Sequence, residues 1–116
     1  MLFGFGGKIW FYREAVDFRK QQNGLIMLVA DQLNHNPTSG DLYIFRNRQA
    51  NKIKLLCYDV NGFWLHYKIL ERGRFIFPCH GDEIWSLSKD QLSWILSGLD
   101  ITKQKQQPIV MATNFF

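Results

Sequence analysis

The spacing of apolar positions divides the chain into short strands and two helices. Residues 8–12, Lys-Ile-Trp-Phe-Tyr, are aromatic and β-branched and read as a strand. Asp17 is placed to cap a helix. Phe18, Leu25, Leu28, Val29 and Leu33 then recur near helical spacing, which predicts a helix to about Asn34, with Gly24 weakening it. Residues 34–41 are a loop by composition. Further strands are expected over 42–46, 53–60, 63–70 and 84–87. Ser88 suits the N-cap of a helix over 89–97, with Leu92, Ile95 and Leu96 as its apolar stripe and Gly98 as its stop.

Asn61-Gly62 joins the two longest strands, and that dipeptide suits a tight type I′ hairpin turn. A two-residue turn there puts Val60 opposite Phe63, Tyr58 opposite Leu65 and Leu56 opposite Tyr67 on one face. The other face then pairs Cys57 with His66 and Leu55 with Lys68. Both faces carry apolar groups, so both are expected to be partly covered, with Trp64, Tyr58 and Tyr67 packing into the core. A slip of one residue would exchange the faces. The pattern adds up to a small α+β domain over residues 1–102. It has an antiparallel sheet of four to five strands, a central Asn-Gly hairpin and two main helices. Residues 103–116 are Gln- and Lys-rich, then contain Pro108, and read as a flexible tail.

Composition narrows the picture. The 116 residues suit one domain, and 47% hydrophobic with 21% charged residues is ordinary for a folded protein. Aromatic content is high, at 16%, so some rings are available for a partner surface. Cys57 and Cys79 form no disulfide framework, the longest apolar run is 25–30, and no basic region precedes the apolar N-terminus. The expectation is a cytoplasmic protein with no membrane partner.

Charge is unevenly distributed. The whole chain carries +4, yet seven basic residues and two acidic ones between Arg46 and Arg74 give that stretch +5, and the rest nets −1. Arg46, Arg48, Lys52 and Lys54 precede or enter the hairpin, and Arg72 and Arg74 follow it. Antiparallel pairing should bring the two groups together at the open end, away from the turn. They could contact phosphates, with Arg19 and Lys20 as extensions. About four such contacts would give a log K against log salt slope near ~−3.6 on duplex DNA. By composition alone a solvated basic face reads about as well.

Other chemistry finds less support. Two-metal catalysis needs clustered carboxylates, and the acids are scattered, with only Asp82 and Glu83 adjacent. Cys57, His66, Cys79 and His80 do not match a common zinc spacing. The glycines at positions 4, 6 and 7 lack the Lys-Ser/Thr of a phosphate loop. No catalytic residue, metal or cofactor is therefore expected.

Several contiguous stretches resemble one family. They are Val16-Asp17-Phe18-Arg19-Lys20, Asn23-Gly24-Leu25, Pro37-Thr38-Ser39-Gly40, Phe45-Arg46-Asn47-Arg48 and Lys52-Ile53-Lys54-Leu55-Leu56. Asn61-Gly62-Phe63-Trp64-Leu65, Tyr67-Lys68 and Leu70-Glu71-Arg72-Gly73-Arg74-Phe75 with Pro78 follow in order, and Leu92, Trp94, Leu96, Gly98 and Asp100 close the match. Together they are similar to the TnpB-type accessory protein, the second open reading frame product, of insertion-sequence-66 elements. Thr38 departs from a usual Phe, Gln49 and Ala50 thin an Arg-rich stretch, and Tyr58 and Phe77 stand where Trp is common. The resemblance implies a non-catalytic protein required for transposition. It would work beside a separate transposase that carries the catalytic carboxylates. DNA is the expected partner. The alternative is a module that docks the transposase or another element-encoded protein through the surplus aromatics and Phe115-Phe116.

Overall fold

A computed structural model of the chain describes residues 7–78 and 80–99. The strands are β1 (Ile9–Tyr12), β2 (Leu42–Arg46), β3 (Lys52–Asp59), β4 (Gly62–Ile69) and β5 (Ile84–Leu87). The helices are α1 (Gln22–Met27), which continues into a π-helical turn (Leu28–Gln32), and α2 (Lys89–Leu96). The strands form one sheet in the order β4-β3-β2-β1-β5. Three neighbouring pairs are antiparallel, and β1 and β2 run parallel, joined by the crossover that contains α1. This is the expected α+β architecture. Residues 100–116, including the expected tail, lie outside the described residues.

Both faces of the sheet are covered. On one, Ile9, Phe11, Leu42, Ile44, Ile53 and Leu55 pack against Phe75 and the α2 residues Leu92 and Ile95. On the other, Tyr12, Tyr43, Phe45 and Leu56 meet Val16, Leu25 and Val29. β2 therefore reads Leu-Tyr-Ile-Phe without a polar break, as a strand buried on both sides should. No helix among the described residues is long and apolar enough to cross a membrane.

α2 begins and ends where its sequence directs. Ser88 Oγ accepts from the Gln91 N–H at 3.0 Å, and Gln91 Oε1 accepts from the Ser88 N–H at 2.8 Å, closing a capping box. At the other end Gly98 takes φ 83°, and the Gly98 and Leu99 amides bond back to Ile95 and Trp94 in a Schellman turn.

Two expectations are corrected. Asp17 does not cap α1. Its carboxylate accepts from the Arg19 N–H at 2.9 Å, the Lys20 N–H bonds the Asp17 carbonyl, and the helix starts at Gln22. A short Asp side chain closes this local turn in competition with a helix. The hairpin turn also moves by one residue, to Val60-Asn61, with Asp59 opposite Gly62. Val60 has φ 53° and the Asn61 N–H bonds back to the Asp59 carbonyl, a γ-turn contact. The partners become Tyr58 with Phe63, Leu56 with Leu65, Cys57 with Trp64 and Leu55 with His66. Each β3 residue shifts its partner by two positions, so the two faces keep their expected members. This register also sets Lys54 opposite Tyr67, where the cation meets the ring, and stacks Tyr58 edge-on to Phe63 at 5.1 Å. Those contacts favour it over the intrinsic preference of Asn-Gly.

Candidate nucleic-acid interface

An open cleft of about 510 Å³ lies at the end of the sheet away from the hairpin turn. Residues 15–19 form one wall and residues 47–49 the other, with Lys52 and Tyr67 completing the lining. Two of the candidate cations hold this cleft in shape. Arg46 donates through Nε (2.9 Å) and Nη2 (2.6 Å) to the Arg13 carbonyl, while the Val16 N–H bonds the Arg46 carbonyl at 2.8 Å. The first wall is thereby tied to the end of β2. Lys54 is only 4% exposed, and its Nζ donates to the carbonyls of Phe18 (3.2 Å) and Lys20 (2.9 Å). The same ammonium lies 4.7 Å from the Phe18 ring centre and 5.2 Å from that of Tyr67. Burial, and then the nearby Lys52, push its pKa below the ordinary lysine value.

The second wall is set by Asn47, which is buried. Its Oδ1 accepts from the Lys52 N–H at 3.0 Å, and its Nδ2 donates to Asn51 (2.7 Å) and Gln49 (3.2 Å). Ala50, at φ 57°, closes the turn with its N–H on the Asn47 carbonyl. Arg48 and Gln49 project from this turn and are exposed. Arg19 and Lys20 are exposed too, but Arg19 is held by Asp17 through Nε at 2.9 and 3.1 Å and Nη2 at 2.6 Å. The Arg19 side chain, and then its amide, hold the Asp17 carboxyl down to about 2.

Arg72 and Arg74 are exposed on the loop after β4 and do not line the cleft. Their loop is fixed to the back of the same turn by Leu70 N–H to the Asn51 carbonyl (2.9 Å) and Phe75 N–H to the Ala50 carbonyl (2.7 Å). The two basic groups therefore share one end of the sheet, but only the first of them reaches the cleft.

Sequence reasoning missed two contributors. Asn47 was visible only as one loop residue among several, although an Asn followed by a short polar run is the signal of a side-chain-closed turn. Tyr67 and Trp64 were expected in the core, yet they are 50% and 54% exposed, because β4 is one of the two edge strands. A second polar cluster also escaped notice: Asp41 accepts from Lys8 N–H (2.9 Å) and Trp10 Nε1 (3.0 Å), and His35 Nδ1 meets Tyr43 Oη at 2.9 Å.

The other candidate chemistry is placed as follows. Cys57 is buried and opposite Trp64, not His66, and Cys79 lies outside the described residues. Asp82 and Glu83 offer their backbone carbonyls to Arg13. Among the described residues, no three His, Cys, Asp or Glu side chains gather closely enough to hold a metal ion.

Comparison with known proteins gives a consistent picture. A family model described as IS66 Orf2 like protein matches residues 7–106. The chain is 35% identical over 109 residues to the uncharacterized protein y4jC of Sinorhizobium fredii (strain NBRC 101917 / NGR234), covering 94% of this chain and 93% of that protein. It is 34% identical over 93 residues to the uncharacterized protein y4hO of the same organism, covering 80% and 81%. No solved structure gives a significant match. The family pattern spans every described element from β1 to α2, and the chain belongs to the IS66 Orf2-like family of insertion-sequence accessory proteins.

Proposed function

We propose that this accessory protein binds DNA, non-catalytically and in the cytoplasm, through the cations at the open end of the hairpin. The observation that carries the reading is a division of labour. Arg46 and Lys54 hold backbone carbonyls inside the fold, while Arg48 and Lys52 line the cleft that they shape. Arg72 and Arg74 extend the exposed positive charge on the loop attached to the same turn. Phosphate contacts from these side chains position a nucleic acid without reading its sequence.

The test is fluorescence anisotropy with duplex from the element's terminal repeats and scrambled duplex, at low and near-physiological salt. Binding that weakens with salt and is lost in Arg48→Glu/Lys52→Glu, with the fold intact by circular dichroism, supports the reading. Preference for the terminal repeat makes the protein an end-recognition factor; equal binding makes it a non-specific tether. Unchanged affinity in the folded double variant removes the cleft from the assignment.

A second reading is favoured by β4. This eight-residue edge strand leaves Trp64 exposed on one face and Ile69 on the other, flanking an edge suited to pairing with a protein partner such as the element's transposase. Co-purification from nuclease-treated extract, lost in Trp64→Ser/Ile69→Ser, is the result expected of it.

A further inference from the structure

We propose that the cleft takes an unpaired nucleotide strand, with a base stacked on Tyr67 and its phosphate held by Arg48 and Lys52; this rests on the DNA-binding reading above. The lining combines two kinds of group that duplex DNA cannot engage together. Arg48 and Lys52 supply positive charge, and Tyr67 supplies a half-exposed aromatic surface within the same recess. In a duplex the faces of the bases are covered by their neighbours, and only their edges reach the grooves. A ring recessed beside phosphate-binding cations finds a π-face to stack on only where the bases are unstacked. Single-strand-binding proteins use this pairing of a basic groove with aromatic platforms.

The Tyr67 ring is also held in place before any ligand arrives. The buried Lys54 ammonium lies 5.2 Å from its centre, and Phe18 meets it nearly edge-on at 5.9 Å and 81°. These contacts fix the ring with part of its surface open to the cleft, so little conformational freedom is lost when a base stacks on it. β4 is the last strand of the sheet, so no further strand walls off Tyr67 on that side and a chain can pass across it. A recess of about 510 Å³ is of the size that accepts small ligands, about 300–1,000 Å³, and suits one nucleotide unit better than the convex backbone of a duplex. On the opposite wall Arg19 is engaged by Asp17, so Arg48 and Lys52 supply the positive charge on the other side of the recess.

The experiment compares labelled single strands of about a dozen nucleotides with the duplex of the same sequence, by anisotropy at fixed salt. Wild type, Tyr67→Ala, Tyr67→Phe and Arg48→Glu are titrated in parallel. The single strand is expected to bind several-fold tighter than the duplex. Tyr67→Ala should weaken single-strand binding about tenfold or more, Tyr67→Phe should restore it, and Arg48→Glu should weaken it as well. Duplex binding equal to or tighter than single-strand binding in the wild type overturns the proposal whatever the variants do, and leaves the DNA-binding reading standing. Tighter single-strand binding that a folded Tyr67→Ala does not change overturns the stacking role. No binding of either probe overturns both readings together.

Discussion

Lys54 and Tyr67 face each other across the β3–β4 pair, with the lysine ammonium 5.2 Å from the centre of the ring. The same ammonium donates to the carbonyls of Phe18 and Lys20. One side chain therefore connects the sheet, the cleft wall and the ring at the cleft's edge. Lys54→Met keeps the length of the side chain and removes its charge and donors. We expect a loss of about 1–2 kcal/mol in stability, since two carbonyls lose their partner. Urea denaturation measures the loss; a variant as stable as wild type would show that water replaces the ammonium without cost.

Arg46 and Arg48 are two residues apart and should behave oppositely. Arg46 holds the Arg13 carbonyl with two donors, so Arg46→Ala is expected to cost about 1.5–3 kcal/mol of stability. Arg48 is exposed on its turn, and Arg48→Ala should stay within about 0.5 kcal/mol of wild type. In DNA titrations Arg48→Ala should reduce the salt slope by about 0.7–0.9, the share of one phosphate contact. Thermal melts and salt-dependent anisotropy on the two variants separate the roles. Equal stability losses would contradict the division between them.

Val60 is 86% exposed and sits at φ 53°, a conformation that a β-branched residue rarely adopts. It makes the turn at a steric cost without returning core contacts. Val60→Gly relieves that cost, offset in part by the greater freedom of glycine in the unfolded chain. A gain of about 1 kcal/mol in unfolding free energy is expected from denaturant titration. A loss would mean that the valine contributes packing that its exposure does not reveal.

Stability should also fall in alkali. Burial pushes the Tyr43 phenol up to about 12, from an ordinary value of 10.0, and the residue is 2% exposed. In the unfolded chain the phenol loses its proton first. Between pH 10 and 12 the unfolded state thus binds fewer protons, and stability declines as pH rises. The contribution is fully present below pH 10 and amounts to about 3 kcal/mol. Tyr12 is raised as well, chiefly by burial, and adds in the same direction. Denaturant midpoints from pH 9 to 12 should fall less steeply in Tyr43→Phe than in wild type. Parallel curves would place the loss elsewhere.

Local chemistry wrote some of this structure plainly into the sequence. Ser88, Gln91 and Gly98 define α2 through bonds that span only a few residues, and β2 follows from the uninterrupted apolar run Leu-Tyr-Ile-Phe. What was not legible depends on distant partners. Lys54 reads as a surface cation until the Phe18 and Lys20 carbonyls arrive from 36 and 34 residues away. Tyr67 reads as core until the strand order leaves β4 at the edge. The turn at Val60 follows from pairing along all of β3 and β4, which outweighs the preference of one dipeptide. The end of the sheet where positive charge collects was legible, because antiparallel pairing fixes it; which cations build the cleft and which face it was not.

The pairing of Asp17 with Arg19 gives a last handle on the cleft. With its carboxyl held at about 2, Asp17 stays ionised at any working pH and offsets the Arg19 charge on the wall. The contribution of that pairing to the turn is present above the ordinary carboxyl value of 3.8 and is lost as pH falls through about 2. Asp17→Asn removes the charge but keeps an oxygen to accept from the Arg19 N–H, so the turn should persist. The guanidinium, released from its carboxylate, becomes available to a phosphate. Nucleic-acid affinity should rise at low salt, and the salt slope should steepen by about 0.7–0.9, one additional contact. Anisotropy across a salt series measures both. Higher affinity with an unchanged slope would mean that Asp17 acts only by repulsion; no change in either would place Arg19 away from the bound strand, and binding would then rest on the wall built by Asn47.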